Sequence, residues 1–221
     1  RHMILPLIGL SLASWGILEQ KINKPLIKTS YIAFLLLLFI STYYYSLQWQ
    51  NSKQFYSYLI KQYPEVMSGW GNRGRLYLNE HEYRRAIQDF KQASKLKPNN
   101  ANLNINIGIA YAQLKLFDSA YFYFSEAIRC DSSNYKAYSN RSLALLQLNK
   151  PLEALNDITC SVVLNPNFVE GWGNKAYIEY KLNDLEQASL SINKALEFEP
   201  NNRRLIGLKE QIEESINKKN P

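Results

Sequence analysis

Cysteine and histidine are scarce in this 221-residue chain, two of each. A disulfide framework is therefore excluded. Cys130 and Cys160 also fall at unmatched places along the chain, and pairing would need their Cα atoms within about 7 Å, so two free, mostly buried thiols are expected. His2 and His81 are isolated, and no pair of metal ligands has helical spacing. No glycine-rich phosphate loop and no nucleophile motif is present. These absences leave no active site, cofactor or metal in the residues, and an enzyme reading has nothing to stand on. Charge is equally unspecific: of the net +7, the stretch 1–66 supplies +4 and the stretch 67–221 supplies +3. The bulk of the chain is only mildly basic, and a nucleic-acid partner is not indicated.

What the chain does have is a period. Asn72, Asn106, Asn140 and Asn174 are evenly spaced, inside a longer self-similarity of the same length. In the first unit Trp70, Gly74, Tyr77, Ala86, Phe90, Ala93 and Pro98 are regularly placed. Ile107, Gly108, Tyr111, Ala120, Phe124 and Ala127 follow in the second, Tyr138, Ala154 and Pro166 in the third, and Trp172, Ala176, Ala188, Ala195 and Pro200 in the fourth. This resembles the tetratricopeptide repeat (TPR), a two-helix unit of about 34 residues with the pattern W-x2-L-G-x2-Y, A-x3-F, P, with Arg73 where leucine is usual. The small residues let the two helices of a hairpin approach closely, and proline ends each unit because it cannot continue a helix. No unit buries its apolar face alone, so a stack shares one continuous core. The expected fold is all-α: a TPR solenoid of about four hairpins (67–100, 101–134, 135–168, 169–202) with a capping helix at 203–221. One or two transmembrane helices precede it. The stretch 51–66 reads as the second helix of an incomplete unit.

The stretch 1–50 is a different material. Tyr31 to Leu47 carries no charge, and with Ser30 and Gln48 it approaches the ~20 residues that span a bilayer. Tyr43, Tyr44, Tyr45 and Trp49 suit an interfacial belt. A span at about 30–48 is expected, with a first at about 3–18. For the latter, a re-entrant segment, a partial span or a signal peptide are the alternatives. Lys21, Lys24 and Lys28 between the spans place that loop in the cytoplasm by the positive-inside rule. The solenoid is then expected on the extracytoplasmic side, periplasmic or lumenal, with membrane lipid as one partner. The group Arg73, Arg75, Arg84 and Arg85 is read as a solvated face rather than an anion site.

The asparagine series carries the functional expectation. Position six of each unit lies on the first helix, whose exposed side lines the concave surface of a TPR superhelix. Asn72, Asn106, Asn140 and Asn174 should form a ladder of amides along that groove. Asparagine is a poor interior helix residue, but an amide both donates and accepts. It can pair with the backbone of an extended peptide whatever its side chains are. Trp70 and Trp172, in the two GWGN strings, are expected to pack between hairpins. The YSNRS string at 138–142 looks like chaperone-cochaperone modules that grip a carboxylate with lysines, asparagines and an arginine. Ile105, Ile109, Glu170 and Asn174 stand where that clamp needs Lys, Asn, Lys and Arg. The junction at 1–74 resembles the last membrane segments and first repeats of transmembrane and TPR-containing protein O-mannosyltransferase-like proteins. That resemblance implies the C-terminal part of a membrane glycosyltransferase whose repeats bind extended polypeptide. The competing expectation is a non-enzymatic scaffold that uses its outer face, with Tyr121, Phe122 and Tyr123, to hold another membrane protein.

Overall fold

The computed structural model describes residues 25–48 and 52–219, and all regular structure among them is α-helical. Contacts divide the chain into two units, 1–54 and 55–221. In the first, α1 (Pro25–Gln48) is one helix of 24 residues. Ile32, Phe34, Leu36, Leu37, Leu38, Phe39 and Ile40 are all exposed on it. Among the described residues no helix is long and apolar enough to cross a membrane, so the expected span at 30–48 finds no support there. The expected span at 3–18 lies outside the described residues.

In the second unit α2 (Ser52–Gln62) is followed by four hairpins: α3 (Met67–Asn79) with α4 (Tyr83–Leu96), α5 (Ala101–Gln113) with α6 (Phe117–Cys130), α7 (Tyr135–Gln147) with α8 (Pro151–Leu164), and α9 (Val169–Lys181) with α10 (Leu185–Phe198). α11 (Arg203–Lys219) ends the stack. Every first helix has 13 residues and every second helix 14. Equal lengths keep equivalent positions at one height from unit to unit.

The hairpins close on a small residue facing a large one. A Cβ on Gly74 would meet the Phe90 ring at 2.8 Å, and one on Gly108 would meet Phe124 at 2.5 Å. Units three and four place Ser142 with Ile158 and Ala176 with Ile192 at the same two positions, and all four are fully buried. A larger small residue goes with a smaller large one. Each hydrophobic cluster then joins two neighbours. Phe90 and Ala93 pack with Leu103 and Ile107, Phe124 and Ala127 with Ala137 and Ala144, and Ile192 and Ala195 with Leu205 and Ile212.

The turn inside each hairpin also repeats. His81, Lys115, Asn149 and Asn183 occupy one position of successive units and hold φ between 59° and 62°. Each is the left-handed residue of a Schellman cap, with the following N–H bonded back into the first helix: Glu82 to Tyr77, Leu116 to Tyr111, Lys150 to Leu145 and Asp184 to Glu179. Between hairpins, Asn100, Asn134 and Asn202 cap the next first helix through their side-chain oxygens.

A second device crosses the stack, and the sequence reading did not find it. The Arg73 guanidinium donates twice to Asp89 at 2.7 and 2.9 Å, and a third N–H reaches Ser57 at 3.1 Å. Arg141 repeats this two units later, to Asp157 at 2.6 and 2.8 Å and to Ser125 at 3.1 Å. Each arginine thus ties its own hairpin to the preceding helix. These bonds to carboxylate raise the guanidinium pKa in both cases. In unit two the same positions hold Ile107 and Tyr123, an apolar pair. In unit four Lys175 contacts Glu179, which also accepts from Ser191 at 2.6 Å.

Three outcomes follow for stability. Gly108→Ala should lower it by about 1–3 kcal/mol through overpacking, and adding Phe124→Ile should restore most of the loss, as in the Ala176–Ile192 pair; denaturant melts of both variants check this. Lys115→Gly should stabilise by about 0.5–1 kcal/mol, because only glycine adopts φ > 0 freely. Asp157→Ala should cost about 3–5 kcal/mol by leaving Arg141 part-buried without its anion, whereas Arg141→Ile with Asp157→Tyr, copying unit two, should cost far less.

Candidate functional site

Like helices pack together in one row. α3 contacts α5, α5 contacts α7, α7 contacts α9, and α9 contacts α11, while no second helix packs comparably on another among the described residues. The first helices therefore form the inner wall of the curve, and α11 extends that row. Its register agrees, since Arg203, Arg204, Gly207, Leu208 and Gln211 stand one repeat after Val169, Glu170, Gly173, Asn174 and Tyr177.

At this end the inner wall opens into a cleft of about 610 Å³, lined by those residues together with Leu143, Glu199, Asn202 and Leu205. The lining identifies positions one, two, five, six and nine of a first helix as groove-facing. The amides at position six lie on this wall and differ in state. Asn72 is half-buried and accepts from Arg75 at 2.9 Å. Asn106 is half-buried, with both polar atoms of its amide left for a ligand among the described bonds. Asn140 is half-buried and donates to the Lys136 carbonyl at 2.8 Å, which leaves its oxygen as acceptor. Asn174 is only 3% exposed and donates to Ser139 at 3.2 Å, a bond between neighbouring first helices.

The other residues singled out from the sequence fall into place around this wall. The Trp70 and Trp172 indoles donate to the Pro64 and Pro166 carbonyls, each at 2.8 Å, and pack in the clusters between hairpins. Of the arginine group, Arg73 is held by Asp89 and Arg85 by Glu82. Of the three neighbouring aromatics on α6 only Phe122 is open, 56% exposed. Tyr121 lies under Arg141 and Tyr123 stacks on Tyr111 at 5.4 Å. A bond from Lys91 to the Tyr111 hydroxyl, with the lysine pKa raised by it, locks that pair further. Ile105 is buried, so that position offers no cation to a carboxylate. The thiols depart from expectation: both are free, but Cys160 is exposed and Cys130 half-buried, because Cys160 lies outside the stripe formed by Ala154, Ile158 and Ser161 on α8.

Comparison with known proteins agrees with this geometry. Residues 74–115 match the model described as TPR repeat, and residues 101–134 and 169–202 match the tetratricopeptide repeat model. Hsp70-Hsp90 organizing protein 2 of Arabidopsis thaliana is 27% identical over 166 residues, which cover 75% of this chain and 29% of that protein. Protein STIP1 homolog of Dictyostelium discoideum is 37% identical over 100 residues, 45% of this chain and 18% of that protein. The chain thus spans less than a third of the length of these relatives. Among solved structures, MamA from residue 41 to its end, from Desulfovibrio magneticus RS-1, superposes with a TM-score of 0.63 at 16% identity, covering 70% of this chain and 87% of that one. The first TPR of Spaghetti (RPAP3), bound to the HSP90 peptide SRMEEVD, gives 0.51 at 24% identity, covering 52% and 92%. The chain carries tetratricopeptide repeats in an all-α solenoid. Nothing in these matches supports the resemblance of its junction to O-mannosyltransferase-like proteins.

Asn174→Ala should destabilise the stack by about 1 kcal/mol, since Ser139 loses its buried partner, whereas Asn106→Ala should stabilise slightly because alanine is the better helix former; thermal melts of the two single variants separate these effects.

Proposed function

We propose that the chain is a protein-interaction module that binds an extended polypeptide segment along the inner wall of its first helices. Asn72, Asn106 and Asn140 would make the contacts, while Asn174, buried against Ser139, supports the wall between them. The observation that supports this is the row of first helices packed on one another, each with an asparagine at position six. An extended chain presents N–H and C=O groups at intervals along its length, and amides read both without regard to side chains. Relatives named for organizing Hsp70 and Hsp90, and a like-folded domain holding an HSP90 peptide, support a peptide as the class of ligand. The grip differs from a carboxylate clamp, because Ile105, Ile109 and Glu170 replace its polar and cationic side chains. The glycosyltransferase reading is not part of the proposal, and an outer-face scaffold keeps only Phe122 of its three aromatics.

A membrane location is the second element. The exposed apolar surface of Ile32 to Ile40 supports contact with lipid, and with the uncharged run 31–47 as a span the lysines before it, Lys21, Lys24 and Lys28, support a solenoid on the extracytoplasmic side. Cys160 is a ready reporter, since it is exposed. A membrane-impermeant maleimide should label it in intact cells, with Cys160→Ser unlabelled. Labelling only after lysis would reverse the orientation, and recovery of the chain in the soluble fraction of lysed cells would remove the lipid contact.

The groove is tested by replacing Asn72, Asn106 and Asn140 together with alanine and titrating a labelled ten-residue peptide of alternating serine and glutamine. At about 1 kcal/mol for each hydrogen bond lost, affinity should fall on the order of 100-fold while the melting temperature holds or rises. Unchanged affinity would contradict the amide ladder.

A further inference from the structure

The outer face of the stack changes sign along its length. Second helices in register place Arg84, Asp118, Leu152 and Glu186 at one position and Lys95, Arg129, Val163 and Glu197 at another, eleven residues further on, and all are exposed. Eleven residues make about three full turns, so both positions lie on one stripe of each helix. The surrounding residues follow the same trend. From Glu82 to Lys97 five cations oppose two acids, and from Asp184 to Glu199, the equivalent stretch three repeats later, four acids oppose one cation. Unit one is therefore +3 on this side and unit four −3. Arg84, Lys95 and Glu186 have no partner of opposite charge among the described residues. Glu197 is met by Lys194 in an exposed pair, which contributes little.

Between these two ends the face is apolar. On α8 Leu152 and Val163 are 68% and 71% exposed, and Asn156 and Cys160, on the stripe between them, are uncharged. Phe122 on α6 and Leu190 on α10 are open as well. Glu126 is held by Arg129, Glu153 by Lys150 and Asp157 by Arg141. Of the charged side chains on α6 and α8, only Asp118 then lacks a partner among the described residues.

A face that runs from basic through apolar to acidic is complementary to itself when reversed. A two-fold axis parallel to the second helices and passing between α6 and α8 sets α4 of one copy against α10 of the other, and it keeps every residue at its own height. Arg84 then meets Glu186 and Lys95 meets Glu197, while Phe122 packs beside Leu152 of the second copy. The outer side of a curved stack touches a like surface first at its middle, which is the apolar part. Long Arg, Lys and Glu side chains reach across the wider gap at the ends. We infer that the outer face of α4, α6, α8 and α10 is a self-association surface whose partner is a second, antiparallel copy of this chain. It lies opposite the inner wall, so a dimer presents two open grooves.

Sedimentation equilibrium of the full chain in a nonionic detergent, at about 0.1 M salt where charges are felt over ~10 Å, tests this. The chain should be a dimer. Arg84→Glu with Lys95→Glu should weaken it on the order of 100-fold, because like charges then face each other, and Glu186→Lys with Glu197→Lys should do the same. Mixing these two variants, or combining all four substitutions in one chain, should restore the dimer, which damage to the fold cannot produce. Phe122→Asp should leave a monomer of unchanged melting temperature, since the ring is open to solvent. A chain that is monomeric throughout would overturn the proposal. A dimer that none of these substitutions weakens, as association through the exposed apolar residues of α1 would give, would also overturn it. Weakening by both charge pairs with no recovery on mixing would rule out the antiparallel arrangement.

Discussion

The close approach of the two helices in each hairpin sets everything else. With no side chain at Gly74 or Gly108, the Phe90 and Phe124 rings occupy space that a Cβ would otherwise fill, and where Ser142 and Ala176 add atoms, Ile158 and Ile192 give up volume. That exchange holds the hairpins to one geometry although their sequences differ. Because first helices all have 13 residues, position six falls at the same height on each. An amide ladder needs that regularity, since a slip of one helical residue would turn an asparagine about 100° from the wall.

Polar cross-ties complement this apolar packing. Arg73 and Arg141 each bind two carboxylate oxygens in their own hairpin and a serine in the helix before it. Buried ion pairs add little net stability because desolvation offsets attraction. Their geometry, however, admits one arrangement of neighbouring units, whereas packed alkyl groups tolerate sliding. Units one and three carry the tie, and unit two replaces it with Ile107 and Tyr123. Unit four has a polar group of its own at these positions, Lys175 with Glu179 and Ser191.

Much of the hairpin architecture was legible because spacing alone encodes it. A glycine in the first half of a unit and a phenylalanine at the matching place in the second, as in Gly74 with Phe90 and Gly108 with Phe124, mark a helix pair in contact. The indoles of Trp70 and Trp172 were rightly placed between hairpins. The Arg–Asp–Ser ties were not legible, since Arg73 looked like a departure from leucine and its partners lie on other helices to either side. The burial of Asn174 was hidden for a similar reason: its partner, Ser139, belongs to the preceding unit. Exposure of Cys160 escaped because a thiol says nothing about which side of a helix it occupies. The cleft at α11 went unseen because a charged, leucine-bearing terminal helix reads as a cap, and only its register shows it to be another groove wall.

The most direct test of a polypeptide groove is to watch the asparagine amides themselves. Side-chain 15N–1H resonances of Asn106 and Asn140 should shift and saturate as an unlabelled serine–glutamine peptide is added, while backbone resonances around Phe122 and Leu190 stay in place. Shifts confined to the second helices, with the asparagine side chains unmoved, would contradict the account and move the binding surface to the outer face.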